Sequence, residues 1–400
     1  MQRKAFAVIS MVLAISAAGC FSAMMTYKKS PPLPAYEGKL QVAGLEGEVQ
    51  VYRDEYGVPH IFTENEHDLM FAAGYVHAQD RLFEIVFLRA LATGRTSELL
   101  GNVGISRVEV MGYPLSTFAI DLRQRTLGMK YLGEIGAALL QEENPVEYRQ
   151  LQSYCDGVNA FIAAHQSWNS LPLEFQLLRV KPEPLTVADI AGFSRFMASM
   201  LCSNLPVELS RYIAVKEFGP EAGWELAPLY GNQGPTIVPP ALLKNKLDHP
   251  RPLPPGGRPP LEEMGHSLSL SSQEASRVLL AERAFNQALR IDEAFGSNNW
   301  VASGKITESG NPILANDPHR NHFQPSLFYL MHLQGAGYDA MGATFPGNPF
   351  VILGHSRRLA GGATTSRADV QDLYLETTDP DHCGMHKYQG QGRGVRPRPL

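Results

Sequence analysis

The sequence predicts an α+β fold with helices and strands segregated along the chain. Three features carry that expectation. Apolar residues recur at three- and four-residue steps between His67 and Met200, a proline-rich stretch follows at 235–275, and the residues after Ser297 read as strands. At 400 residues, 44% of them hydrophobic and 19% charged, the chain has material for two or three domains or one large one. Its net charge of -5 is mild and implies no polyanionic partner.

The first residues, "MQRKAFAVISMVLAISAAGC", read as an export signal. Arg3 and Lys4 form a basic start, and Ala5–Ala14 is apolar but too short to span a bilayer comfortably. Two endings are open. Lipidation of Cys20 would tether the protein to a membrane facing the periplasm, although Ala17 stands where a lipoprotein box usually has leucine. Cleavage at the neighbouring small residues would instead release a free periplasmic protein. No later apolar run is long enough for a membrane span. The four cysteines, Cys20, Cys155, Cys202 and Cys383, are too few and scattered for a disulfide framework or a zinc site. Cys155 and Cys202 either bridge or remain as buried thiols.

Residues 38–63 alternate apolar and polar and are expected as strands. From His67 to about Ala92 the stripe Leu69, Ala73, Val76, Leu82, Ile85 and Val86 predicts a helix. On it His77, Asp80, Arg81 and Glu84 lie three to four apart and read as ion pairs along one face. A second helix fits Glu147–His165 through Leu151, Tyr154, Val158, Phe161 and Ile162. A third begins at Thr186, capped together with Asp189 and carrying Ile190, Phe193, Met197 and Met200. The span 235–275, with "HPRPLPPGGRPP", has linker composition and little capacity to bury surface. Residues 276–292 fit one short amphipathic helix. After Ser297, strands are expected at "NWVASGKI", "ILAND", "SLFYLMHL", "FVILGH" and "DVQDLYLE", as a sheet that opens at Ser297.

The seam "AFGSNNWVASG" raises a chemical question. A serine hydroxyl is a poor nucleophile near neutral pH and needs a base within reach, and no "GxSxG" elbow surrounds any serine here. A serine at a chain terminus carries its own base, an α-amino group titrating near ~8. That requires a broken Gly296–Ser297 bond, and Gly296 permits the strained backbone from which Ser297 can attack the preceding carbonyl. The dipeptide alone is equally that of an ordinary loop serine.

At "GSNNWVASG", with "ILANDPH" downstream, the chain resembles the penicillin acylase family of N-terminal-nucleophile hydrolases. Residues 53–101, "LPLEFQLLRVKPEPLTVADIAGF", "PGNPFVILGHS" and "RADVQDLYLE" resemble successive family segments in order. The resemblance implies a four-layer αββα sandwich built from two chains cut from one precursor. After a signal at 1–20 come an α-chain-like region at 21–235, a spacer at 236–296 and the start of a β-chain at 297–381. It also implies amide hydrolysis of small N-acyl compounds, penicillins, cephalosporin side chains and acyl-homoserine lactones being family substrates. Ser297 would be nucleophile and, through its amine, base. His319 would lie near the serine oxygen, against an otherwise ordinary turn histidine, and the Thr365 backbone N–H would be one oxyanion donor. Asp369, Asp372 and the Gln371 carbonyl, with Glu208 reaching in from the α-chain, resemble the family's calcium loop, for which hard oxygens are suited. Otherwise these carboxylates are a solvated turn and a helix-surface pair.

Three departures qualify the resemblance. Arg320 stands where an apolar residue is usual, and Gly361–Gly362 replaces a tryptophan-glycine pair, which is expected to loosen the strand beside Thr365. Only 103 residues follow Ser297 before the chain ends, and residues 382–400 turn glycine-, proline- and arginine-rich. A shifted frame or premature stop is the leading reading, against a natural basic tail. An asparagine oxyanion donor and an orienting arginine would then be missing, and with them most turnover. The competing reading is therefore an exported, calcium-binding remnant without catalysis. "GQGRG" in the tail follows no strand and opens no helix, so no nucleotide or flavin site is expected.

Overall fold

The computed structural model describes residues 34–110, 113–202, 204–226, 271–288, 297–319 and 324–365, with the backbone of 377–378, 385–388 and 391–394. In chain order the elements are β1 (Gln50–Arg53), β2 (Pro59–Phe62), α1 (Glu66–Thr93), α2 (Thr96–Leu100), β3 (Gly104–Val110) and β4 (Tyr113–Ser116). Helices follow: α3 (Thr117–Leu127), α4 (Met129–Glu143), α5 (Pro145–Ala164), α6 (Leu173–Leu178), α7 (Val187–Cys202), α8 (Leu205–Phe218), α9 (Pro220–Leu226) and α10 (Ser272–Ala288). Then come β5 (Ser297–Ala302), β6 (Ile313–Pro318), β7 (Tyr329–Gly335), β8 (Tyr338–Phe345), β9 (Asn348–Ser356) and β10 (Ala360–Gly361). The last are β11 (Thr377–Thr378), β12 (Met385–Tyr388) and β13 (Gln391–Gly394).

The fold is α+β, but the segregation is not as expected. The main sheet has the order β1-β2-β7-β8-β9-β10, so strands from both ends of the chain share it. β2 runs parallel to β7, with His60 opposite His332, and the remaining pairs are antiparallel. Nor does that sheet open at Ser297: β5 pairs with β6 in a separate two-stranded ladder. A local alternation pattern marks a strand but not its neighbour, so the partition was open to error. The sequence reading also passed over β8, whose "YDAMGATF" is weakly apolar, and the helices α3, α4 and α8. In the tail, β12 and β13 pair antiparallel with Tyr388 opposite Gln391, although strand periodicity is absent from that segment.

Two compact units interleave along the chain. One draws on residues 1–103, 120–197 and 293–365, the other on 104–119, 198–292 and 366–400. In the second, α8 packs on α9 and α10, and the Arg211 guanidinium lies 4.9 Å above the Trp224 ring. The first holds the large core, including Ile61, Leu69, Leu82, Val158, Phe161, Phe175, Met331 and Leu333.

That core rests on α1 and α5. Asn65 caps α1 by accepting the Asp68 N–H at 2.7 Å, and Asp68 in turn takes the backbone N–H groups of Glu46 and Gly47. Gly94, at φ 71°, ends the helix in the left-handed conformation. Thr186 and Asp189 form the expected reciprocal cap of α7. The two core helices touch backbone to backbone: a Cβ on Gly74 would sit 2.1 Å from the Tyr154 carbonyl oxygen, and one on Gly157 would sit 1.9 Å from that of Phe71. Cys155 and Cys202 are both buried thiols, the second of the two readings above.

The expected ion-pair face on α1 is only partly present. Arg81 pairs with Glu84 at 3.3 Å, but Asp80 turns to Arg53 on β1 and to the hydroxyls of Tyr36 and Tyr329. His77 is fully buried, with Nδ1 2.8 Å from the Tyr154 hydroxyl and Nε2 2.9 Å from Thr344 Oγ1. Thr344 donates its own hydroxyl proton to the Tyr329 carbonyl at 2.8 Å, so it accepts from His77 Nε2–H. His77 Nδ1 then accepts from Tyr154 O–H, whose oxygen receives the Gly347 N–H at 2.9 Å. The relay is closed, neutral and fully satisfied.

Two outcomes follow from this core. Gly157→Ala forces α1 and α5 apart and should destabilise the protein by about 1–3 kcal/mol, read from the urea midpoint. Burial, with the Arg81 charge second, lowers the His77 pKa from 6.5 to about 3. The unfolded chain therefore binds a proton that the folded chain refuses. This contribution to stability is full above pH 6.5 and is lost as pH falls toward about 3. In urea titrations across that window, His77→Gln should show a flatter pH slope than the parent chain.

Candidate active site

β5 and β6 are an antiparallel ladder in which Ser297 faces Pro318, Asn298 faces Asp317 and Asn299 faces Asn316. Side chains alternate between the two faces of a strand, so Ser297, Asn299 and Asn316 share one face and Asp317 belongs to the other. Ser297 opens β5 and is half-buried. In the uncut chain its nitrogen is an amide, and the amine that would serve as base does not exist until the Gly296–Ser297 bond breaks.

His319 follows β6 directly, and its imidazole is bonded to a neighbouring carboxylate. Nε2 lies 3.1 Å from Asp317 Oδ2, and this ion pair is largely solvent-exposed. Asp317 itself belongs to the strand face opposite Ser297. The sequence singled out His319 by its position after "NDP"; in the uncut chain its described partner is Asp317.

Thr365 fares differently. The segment leading to it is stitched to β6 by one side chain, Asn316. Its Nδ2 donates to the carbonyls of Asn298 at 3.0 Å and Ala363 at 3.1 Å, and its Oδ1 accepts the Ala363 N–H at 3.1 Å. Thr365 is two residues beyond Ala363. Gly362 makes the approach possible, since a Cβ there would meet Asn316 Cβ at 2.8 Å. On its other side the segment begins with β10, paired to β9. The expectation that Gly361–Gly362 loosens this strand is therefore reversed: the missing side chain lets the segment be pinned. Sequence reading placed Asn316 in the strand "ILAND" but gave its side chain no role. The available signal was an asparagine inside a strand, where the residue is depleted unless its amide has partners.

Of the four proposed calcium ligands, Asp369, Gln371 and Asp372 lie outside the described residues, as do Gly296, Arg320, Cys20 and Cys383. Glu208 is in the first turn of α8, with Oε1 accepting from Asn204 Nδ2 at 2.9 Å. Among the described residues no group of three or more His, Cys, Asp or Glu gathers to hold a metal. The donor set read from the sequence, three carboxylates and a carbonyl, is all hard oxygen and fits calcium by its chemistry.

The family model described as penicillin amidase matches residues 48–399. The chain is 31% identical to the penicillin acylase 2 proenzyme of a Pseudomonas species, over 86% of this chain and 39% of that protein. It is 29% identical to the acyl-homoserine lactone acylase QuiP of Pseudomonas aeruginosa, over 90% of this chain and 38% of that one. With the penicillin G acylase of Escherichia coli it shares 26% identity, over 93% and 44%. It thus spans about two fifths of the length of these relatives. A solved thermostable penicillin G acylase from Alcaligenes faecalis matches at 28% identity with a TM-score of 0.38, over 48% of this chain and 97% of that one.

Proposed function

Because the chain belongs to the penicillin amidase family, we propose that it is an exported amidohydrolase that works through Ser297 after severing its own Gly296–Ser297 bond. The observation that carries this reading is the position of Ser297 as the first residue of β5, on the strand face it shares with Asn316. The relative named a proenzyme supports processing. The fold supports it too, since elements before and after the cut are already joined by the β2–β7 pair and the His77 relay. Severing the bond would leave the α- and β-pieces as one body.

In the first step Ser297 Oγ attacks the Gly296 carbonyl, the C–N bond breaks as a C–O ester forms, and the hydroxyl proton passes to the departing nitrogen. Water then hydrolyses the ester, leaving a carboxylate on Gly296 and a free hydroxyl and amine on Ser297. That amine, titrating near ~8, takes the hydroxyl proton when a substrate amide arrives. The substrate's acyl group moves to Oγ, its amine leaves with the proton, and water frees the serine. The Thr365 N–H would receive the developing oxyanion, an interaction worth roughly 3–4 kcal/mol of barrier. The substrate is a linear N-acyl amide, such as a β-lactam side chain or an acyl-homoserine lactone, as the names of the relatives suggest. The signal at 1–20 supports action in the periplasm, tethered if Cys20 is lipidated. A calcium ion held by Glu208, Asp369, Asp372 and the Gln371 carbonyl would brace the chain rather than enter the chemistry.

Expression of the full chain should give two fragments by intact mass, one with Ser297 as its first residue, whereas Ser297→Ala stays as one species uncut at that bond. A parent chain that also stays whole would overturn self-processing and favour a calcium-binding protein without turnover. For the metal, calcium at 100-fold its dissociation constant should stabilise the chain by about 2.7 kcal/mol. Glu208→Gln should blunt that gain in thermal unfolding, and equal gains in the two chains would remove Glu208 from the site.

A further inference from the structure

Asn316 makes three hydrogen bonds with one carboxamide, and they join two stretches of chain that the reaction needs together. Nδ2 spends both its protons on the carbonyls of Asn298 and Ala363, while Oδ1 takes the Ala363 N–H. The orientation of the amide is fixed by these partners, because a flipped group would set its oxygen against two carbonyl oxygens. Asn298 is the residue after Ser297, and Ala363 is two residues before Thr365, a reach of roughly 7 Å in extended chain. Asn316 also shares the strand face of Ser297, as the β5–β6 register requires. Across the contact, Gly362 offers no Cβ to hold the amide off.

We propose that Asn316 is a positioning residue. Its amide sets the backbone that follows the nucleophile at a fixed distance from the segment that ends in the Thr365 N–H. The catalytic meaning of this latch rests on the function proposed above, but its existence as a latch does not. No other polar side chain of similar size does the same work. Aspartate keeps the shape but aims negative charge at two carbonyl oxygens, alanine leaves the backbone groups to water, and leucine cannot bond at all. A misplacement of about 1 Å at such a site is enough to slow a reaction some 10²-fold.

The test compares the full chain with Asn316→Asp and with Gly362→Ala, which presses on the latch from its other side and leaves Asn316 in place. The first readout is the rate at which the Ser297 terminus appears. Asn316→Asp should process about 10²-fold more slowly at neutral pH with an unchanged thermal midpoint. It should also recover part of that rate in mild acid, where the introduced carboxyl takes up a proton and can donate again. A merely structural role would give no such acid recovery. Gly362→Ala should slow processing in the same direction, and it decides the matter if Asn316→Asp fails to fold. The second readout needs no processing: in a Ser297→Ala background, hydrogen exchange at the Ala363 amide, whose N–H the Asn316 oxygen accepts, should quicken at least tenfold in Asn316→Ala and in Gly362→Ala, while β7 and β8 stay protected. A parent chain that stays uncut counts against self-processing alone, and exchange then judges the latch. Unchanged exchange at Ala363 overturns the proposal, as does processing at the parental rate by a folded Asn316→Asp.

Discussion

The first unit depends on one buried constraint: a neutral imidazole that must find a donor for one nitrogen and an acceptor for the other. His77 is fully buried on α1, and its partners come from α5 and β8, with the Tyr329 carbonyl of β7 and the Gly347 amide completing the chain. A buried polar group left unpaired costs about 1–3 kcal/mol, so each member holds the others in place. A slip of β8 by one residue would carry Thr344 to the other face and break the relay at its centre. The relay thus sets how the helical pair meets the sheet, and the glycines at 74 and 157 let the helices come close enough for it to close.

The same constraint bears on the candidate site. Helices that precede Ser297 and strands that follow it are knit before any bond is cut, by the relay, by the parallel β2–β7 pair and by the Arg53–Asp80 ion pair reaching Tyr329. The ladder that Ser297 opens, β5–β6, is not a member of that sheet. It reaches the segment of Thr365 through side-chain bonds from Asn316, a less redundant connection than a strand ladder. The placement of Ser297 relative to the Thr365 segment thus rests on a few polar contacts.

How much was legible beforehand differed by kind of signal. The helices beginning at Glu66, Pro145 and Val187 were readable because each carries a long apolar stripe with a cap residue in front. β8 was not, because its alternation is diluted by Gly342, Ala340 and Ala343, small residues whose burial shows only when neighbours cover them. Ser297 and Thr365 were singled out by motif order. His319 came from the same motif, and what the sequence did not give was its bond to Asp317, two residues away. Asn316, in that very motif, was overlooked because its partner Ala363 is far along the chain.

By itself the sequence determined the class of fold, the family, the principal helices and the serine on which the proposed chemistry turns. Each of these is written in local periodicity, in caps or in the order of short segments. Only the tertiary structure decided which strands share a sheet, which face Ser297 occupies and why position 362 must lack a side chain. Those outcomes depend on pairings between residues tens to hundreds of positions apart, and what fixes them is the need to satisfy buried polar groups and to fill space, which no local window of sequence contains.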